Sequence, residues 1–249
     1  MARPMGLFTN RRIDRPAPAG PAEMGERDGL AYALWLPEGT SEGGIVIVHG
    51  AGSAKESHFD FARAARSNGL ASVAYDQRGH GASSGEFEGR VLEDVATMAS
   101  LLPAGPLALR GSSLGGYVAL LAAGRLDADA VVAICPAGAE QLRRGLRTGS
   151  YDFRVDAAAA DAFLAEHDLG LAVEQLSTPM LLLHAEGDEQ VPVEHSRELL
   201  AAARMEPRRL IAVPGGHHRS IQHDEELQGE ALRFIARAFA AARRRGAPD

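Results

Sequence analysis

The sequence predicts an α/β protein built on a mostly parallel sheet that helices cover on both faces. Three observations carry that expectation. Short, wholly apolar runs such as GGIVIVHG and DAVVAICP have the length and β-branched content of strands buried on both sides. Between them lie stretches with apolar residues at helical spacing, as in 89–102, where Val91, Val95, Met98 and Leu102 share one stripe. The two kinds alternate along most of the 249 residues without an internal repeat, which is the order of parallel strands joined by crossover helices.

Residues 1–21, rich in Pro, Arg and Gly, are expected to form a flexible lead-in, with a single folded domain over 22–249. Residues 22–28 and 30–36 read as a hairpin turned at Asp28-Gly29. GGIVIVHG follows as a strand, then ESHFDFARAARSNG as a helix closed by Asn68-Gly69. LASVAYD is a strand and 89–102 a helix; PLALRG is a strand that runs into a helix over 113–124, and DAVVAICP is again a buried strand. PMLLLHAEGD and RRLIAVPGG read as strands, and 193–204 and 223–242 as helices. In the last of these, Leu227, Ala231, Phe234 and Ala238 share a face. The stretch 136–178 breaks the alternation, being helical and polar with no strand signal. It is too short for a separate domain, so a small helical cap is expected over the C-terminal edge of the sheet, where open parallel sheets bind ligands.

Composition limits the function. A hydrophobic share of 45% and a charged share of 24% are ordinary for a globular chain. A net charge of −7 argues against a nucleic-acid partner or an anionic-membrane surface. Cys135 is the only cysteine, so no intrachain disulfide forms and a reducing, cytoplasmic setting is expected. The first residues are basic but lack a continuous apolar stretch, and no run of 18 apolar residues occurs, so neither a secretory signal nor a membrane span is expected.

The chemistry-bearing motif is Gly-Ser-Ser-Leu-Gly at 111–115, which fits G-x-S-x-G with Ser113 central. A nucleophile at a sharp strand-to-helix turn takes a strained backbone, and side chains on its neighbours would collide with strand or helix. Gly111 and Gly115 remove those collisions, whereas centring on Ser112 would require glycine at Arg110 and Leu114. A serine hydroxyl needs a base, itself oriented by an acid. Asp188, after Gly187 in a loop leaving a strand, is the expected acid, with Glu186 and Glu189 as its neighbours. The next loop offers His217 and His218, of which one can be the base. His218 is favoured by its place three residues after Gly215, while His223 reads as a surface residue. The order Ser, Asp, His is that of G-x-S-x-G enzymes. Two backbone N–H groups suffice for an oxyanion. Leu114, at a helix N-terminus, and Ala51, in the loop His49-Gly50-Ala51-Gly52, are the expected donors. His49 reads as bonded to its own loop and Cys135 as core. His217-His218 is too closely spaced for a metal pair, so no metal is expected.

In order, VHGAGS, AYDQRGHGASSG, GSSLGG, AEGDEQVP and PGGHH resemble the α/β-hydrolase superfamily. Within it they are similar to the serine-hydrolase branch of monoacylglycerol-lipase-like enzymes, bacterial esterases and serine aminopeptidases. The resemblance covers about residues 25–242. It implies an eight-stranded sheet, a Ser-Asp-His triad, no cofactor, and hydrolysis of esters, thioesters or amides. Asp76, Arg78, Gly79 and His80 match a conformational loop of the family and are expected to be structural. The 136–178 cap is shorter and less apolar than a lipase cap usually is, which favours small to medium esters over long acyl glycerides. Arg143, Arg144, Arg147 and Arg154 read as a solvated face, with an acidic substrate as the other reading. The expected partner is a small-molecule ester or acyl compound. Thioester or amide cleavage, and a non-catalytic ligand-binding member of the fold, are the alternatives. Oligomeric state is not legible, because helix-on-sheet packing accounts for every apolar stripe.

Overall fold

The computed structural model describes residues 20–246, so the expected lead-in lies outside them apart from Gly20 and Pro21. The first two strands, β1 (Glu23–Arg27) and β2 (Leu30–Trp35), form the expected hairpin. Its turn residues Asp28 and Gly29 both have positive φ, 52° and 79°, which matches the turn's twist to that of the strands. Six further strands follow: β3 (Gly44–Val48), β4 (Ala71–Tyr75), β5 (Leu107–Ser112), β6 (Ala130–Ile134), β7 (Met180–Ala185) and β8 (Arg208–Val213). They form one eight-stranded sheet in the order β1-β2-β4-β3-β5-β6-β7-β8. It is parallel from β4 through β8, and only the pairings of β1 with β2 and of β2 with β4 are antiparallel.

Alternation along each strand feeds two cores. Ile45, Ile47, Ala108 and Val132 face one side, with Phe61 of α1 (Phe59–Ser67) and Ile235 and Phe239 of α8 (Glu225–Gly246). Val46, Val48, Leu109 and Val131 face the other, with α2 (Val91–Ala99), α3 (Leu114–Arg125) and α7 (Val193–Ala202). The chain leaves β3 through α1 toward β4 and then returns through α2 to β5 on the far side of β3. The crossovers thus diverge at β3 and β5, and the crevice beyond their C-terminal ends is where such sheets bind ligands.

Between β6 and β7 lie α4 (Ala139–Thr148), α5 (Ala157–Glu166) and α6 (Leu169–Gln175). The helices α4 and α5 pack on each other, whereas α6 docks on α3 and α7 and buries Leu169 and Val173 in the core of the sheet. Only the first part of 136–178 therefore stands over the sheet edge. Element ends also differ from expectation: the helix read over 89–102 spans only Val91–Ala99, which leaves Leu102 beyond it. The helix read from Glu56 begins as a 3₁₀ turn, Lys55–His58, because buried Asp76 holds both the backbone N–H and the ammonium of Lys55, each at 2.8 Å. The last helix runs on to Gly246, and Arg243 in its extension donates to the Glu42 carbonyl at 2.6 Å. Among the described residues no helix is long and apolar enough to cross a membrane.

The Lys55–Asp76 pair is almost fully buried, at 5% and 1% exposure. Burial raises the Asp76 carboxyl, but the Lys55 ammonium and the N–H groups of Lys55 and Ala82 outweigh it and hold the carboxyl below its ordinary value. A carboxyl depressed in the folded state stabilises the fold above its unfolded pKa and loses that contribution as the pH falls. Asp76→Asn, which leaves the buried ammonium only the half-exposed Glu56 carboxylate at 2.9 Å, is expected to cost about 3 kcal/mol at pH 7 by urea unfolding. The gap to the parent should narrow below about pH 4.

Candidate active site

Ser113 stands where β5 turns into α3, with φ 53° and ψ −117°, a backbone that a non-glycine residue adopts only at a cost of about 1–3 kcal/mol. Its surroundings over-determine it. The Ser113 N–H donates to the Ile134 carbonyl at 2.9 Å, and its carbonyl accepts from Tyr117 and Ala137. The turn closes only because Gly111 and Gly115 lack Cβ atoms. One on Gly111 would overlap the Gly115 carbonyl, and one on Gly115 the Val48 carbonyl. The loop after β3 comes just as near, since a Cβ on Gly50 would lie 3.3 Å from both the Ser112 carbonyl and the Ser113 Cβ.

Asp188 and His218 meet from the loops after β7 and β8. His218 Nδ1–H donates to Asp188 Oδ2 at 2.6 Å, while the Gln190 and Val191 N–H groups donate to Oδ1 at 2.9 and 3.0 Å. Burial raises the Asp188 carboxyl, but His184 at 3.6 Å, His218 and the Val191 N–H overcome this and hold it well below the usual carboxylate range. His217 is exposed and makes no hydrogen bond to the acid among the described residues; its N–H donates to Ser220 Oγ at 2.9 Å. Ser113 and His218 line one cavity of about 590 Å³, together with Gly50 and Ala51. No hydrogen bond joins Ser113 Oγ to His218 among the described residues. Leu114 opens α3, where first-turn N–H groups have no helical acceptor. Ala51 follows Gly50 in the tight turn that the Ser53 N–H closes onto the Gly50 carbonyl at 3.2 Å.

The other candidates are bonded inward. His49 Nδ1–H donates to the Gly50 carbonyl at 2.7 Å, and its Nε2 accepts from the Gln77 N–H at 3.0 Å. Burial, with His80 beside it, pushes its pKa down to about 4, so it is neutral at pH 7 and both ring nitrogens are occupied. Arg78 pairs with Asp94, and His80 stacks on Phe153 with ring centroids 3.9 Å apart, joining the loop after β4 to the segment between α4 and α5. His223 is exposed as expected, but it also lines the cavity and donates to Asp60 at 2.8 Å.

Two buried residues, Arg110 and His184, escaped sequence reading, while Cys135 is buried as expected. Arg110, on β5, lies 4.1 Å over the Phe61 ring, shares a hydrogen bond with His58 and donates to the Gln222 carbonyl at 3.2 Å, anchoring the loop that carries His218. His184 stands behind Asp188, donating from Nε2 to the Val191 carbonyl at 2.8 Å and accepting at Nδ1 from Ser196 at 2.7 Å. Cys135 puts its sulfur within 4.8 Å of ligand atoms of Asp188 and His218. Burial pushes that thiol up to about 12, and the other two groups bond each other, so the trio is a poor donor set for a metal. An apolar strand pattern hides Arg110 and His184, because it reports which face a residue occupies and not which polar group waits there.

A family model described as serine aminopeptidase, S33, matches residues 39–150, the interval from β3 to the end of α4. Human monoglyceride lipase is 36% identical over 103 residues, and a monoacylglycerol lipase of Mycolicibacterium smegmatis is 25% identical over 249. In sequence this chain is thus similar to enzymes of the α/β-hydrolase superfamily. The stretch shared with the human enzyme is 38% of this chain and 34% of that protein's length, while the mycobacterial one covers 79% and 88%. An α/β-hydrolase architecture is equally plain in the solved structures. Est1E from Butyrivibrio proteoclasticus, with ferulic acid bound, superposes with a TM-score of 0.71 at 21% identity, over 88% of this chain and 100% of that one. The expected superfamily, the eight strands and the lipase and esterase character of its members all stand.

Proposed function

We propose that this α/β hydrolase cleaves carboxylic esters of small to medium acyl groups through an acyl-enzyme. One observation carries the reading: a serine with strained backbone shares a cavity with a histidine whose far nitrogen is bonded to a buried carboxylate. Ser113 Oγ attacks the ester carbonyl carbon while His218 Nε2 takes its proton. Asp188 fixes the His218 tautomer and stabilises the imidazolium that forms. The N–H groups of Ala51 and Leu114 receive the oxyanion, the latter helped by the positive end of α3. Collapse expels the alcohol, which leaves with the proton from His218. Water, deprotonated by the same nitrogen, then attacks the acyl carbon and releases the acid, and Ser113 regains its proton.

The helices α4 and α5 serve as a small cap, which limits the acyl group the cavity can enclose. A single cysteine suits a reducing, cytoplasmic compartment. The serine aminopeptidase description of the matching family model favours a second reading, amide cleavage by the same residues.

A fluorophosphonate is expected to label Ser113, as located by peptide mass spectrometry, and p-nitrophenyl esters from acetate to palmitate should be turned over best at the short end. An adduct without turnover of any ester would shift the reading to amides and thioesters. No adduct would remove the hydrolase reading.

A further inference from the structure

The helix beside the nucleophile turns a polar face to the cavity. Gln141, Arg144, Gly145 and Thr148 of α4 all line it, at the i, i+3, i+4, i+7 spacing of one helix face. Leu142 is buried in the core, which sets the rotation of the helix, and the Arg143 guanidinium forks onto both carboxylate oxygens of Asp161 on α5 at 2.6 and 2.9 Å. In a cap built for alkyl chains this face would be the apolar one. Here the apolar lining amounts to Ala51, Ala137, Leu142, Val191 and the ring of Tyr151.

The four arginines of this segment differ in what they hold. Arg143 is paired with Asp161, Arg147 with Glu140 at 2.9 Å, and Arg154 donates to the Ser83 carbonyl at 2.6 Å. The Arg144 guanidinium has no acceptor among the described residues, and it lines the cavity. So does Arg219, next to His218, whose guanidinium likewise has no acceptor among them. Glu189 is the one carboxylate in the lining among the described residues. Two guanidinium groups against one carboxylate leave the cavity with a net positive charge, in a chain whose own net charge is −7.

We infer that the cavity takes a compact, polar ester that carries a free carboxylate, held by Arg144 and Arg219 while Ser113 attacks the ester carbonyl. The inference rests on the hydrolase reading of Ser113. A guanidinium offers two parallel N–H donors that match the two oxygens of a carboxylate. A singly charged group balances the lining, whereas a dianion would also meet the repulsion of Glu189. The reaction remains the hydrolysis described above; the arginines fix which end of the substrate lies beneath α4.

The test compares mono-4-nitrophenyl glutarate with 4-nitrophenyl pentanoate, five-carbon acyl groups that differ by the terminal carboxylate. The ratio of their kcat/KM values is expected to be roughly ten-fold in favour of the charged ester at low ionic strength, and to fall as salt is added. Arg144→Gln and Arg219→Gln should each lower that ratio several-fold, chiefly through KM for the charged ester, and Arg144→Glu should bring it to one or below. Equal rates on the two esters, or a ratio that Arg144→Gln and Arg144→Glu leave unchanged, would overturn the inference while the hydrolase reading stands. Turnover of neither ester would also overturn it. In that case a fluorophosphonate adduct on Ser113 keeps the nucleophile, and its absence removes the hydrolase reading as well.

Discussion

Alanine at Ser113 or at His218 is expected to lower kcat on a short p-nitrophenyl ester by on the order of 10⁴-fold or more, with KM little changed. The effect is large because serine, histidine and carboxylate act as one unit. Without Oγ there is no acyl-enzyme, and without Nε2 the hydroxyl keeps its proton. Asp188→Asn should fall in the same range, since an amide opposite Nδ1 holds the imidazole in the wrong tautomer. The decisive comparison is with His217→Ala, which removes an exposed ring that accepts from the Arg219 N–H and has no hydrogen bond to Asp188 among the described residues. It is expected to retain activity within a few-fold. An inactive His217→Ala beside an active His218→Ala would reverse the assignment of the base. Thermal unfolding of each variant separates loss of chemistry from loss of fold.

The largest effect on stability is expected from a single methyl group at the turn. Gly115→Ala drives a Cβ into the carbonyls of Val48 and His49, and both are backbone atoms of the sheet and its following loop, which cannot swing aside. To make room α3 would have to lift from β3, opening the core that both elements share and unseating Ser113 at the same time. A cost of about 3 kcal/mol or more is expected, read as a lower urea midpoint or loss of soluble protein. The same substitution nine residues along the same helix reverses the sign. A Cβ on Gly124 meets only Leu176 Cδ1 at 3.6 Å, an ordinary contact, so Gly124→Ala should stabilise by up to about 1 kcal/mol. Equal effects at the two glycines would show that helix propensity and not steric closure governs the turn.

Much of the architecture was legible because its causes are local. Ile45 to Val48 read as a doubly buried strand, and the structure puts Ile45 and Ile47 in one core and Val46 and Val48 in the other. The period of the pattern is itself the geometry of a strand. The turn at Ser113 was legible for a related reason: positions that admit no Cβ must be glycine, and Gly111 and Gly115 stand where the crowding falls. His49 was likewise read correctly, as a histidine that serves its own loop. The position of the last helix was predicted, but not its length, because its final turn depends on Glu42, some 200 positions earlier in the chain.

By itself, then, the sequence determined the alternating elements, the strained serine and the order of the chemical groups, since each depends on the spacing of neighbours within a few residues. The tertiary structure decided the pairings. Asp188 meets His218 and not His217, Arg110 reaches Gln222, and Arg144 faces the cavity while Arg143 is taken up by Asp161. The reason is physical. Spacing along the chain fixes the face of an element on which a side chain stands. What that face meets is fixed by strand order, by helix rotation and by the loops that bring distant residues within 3 Å.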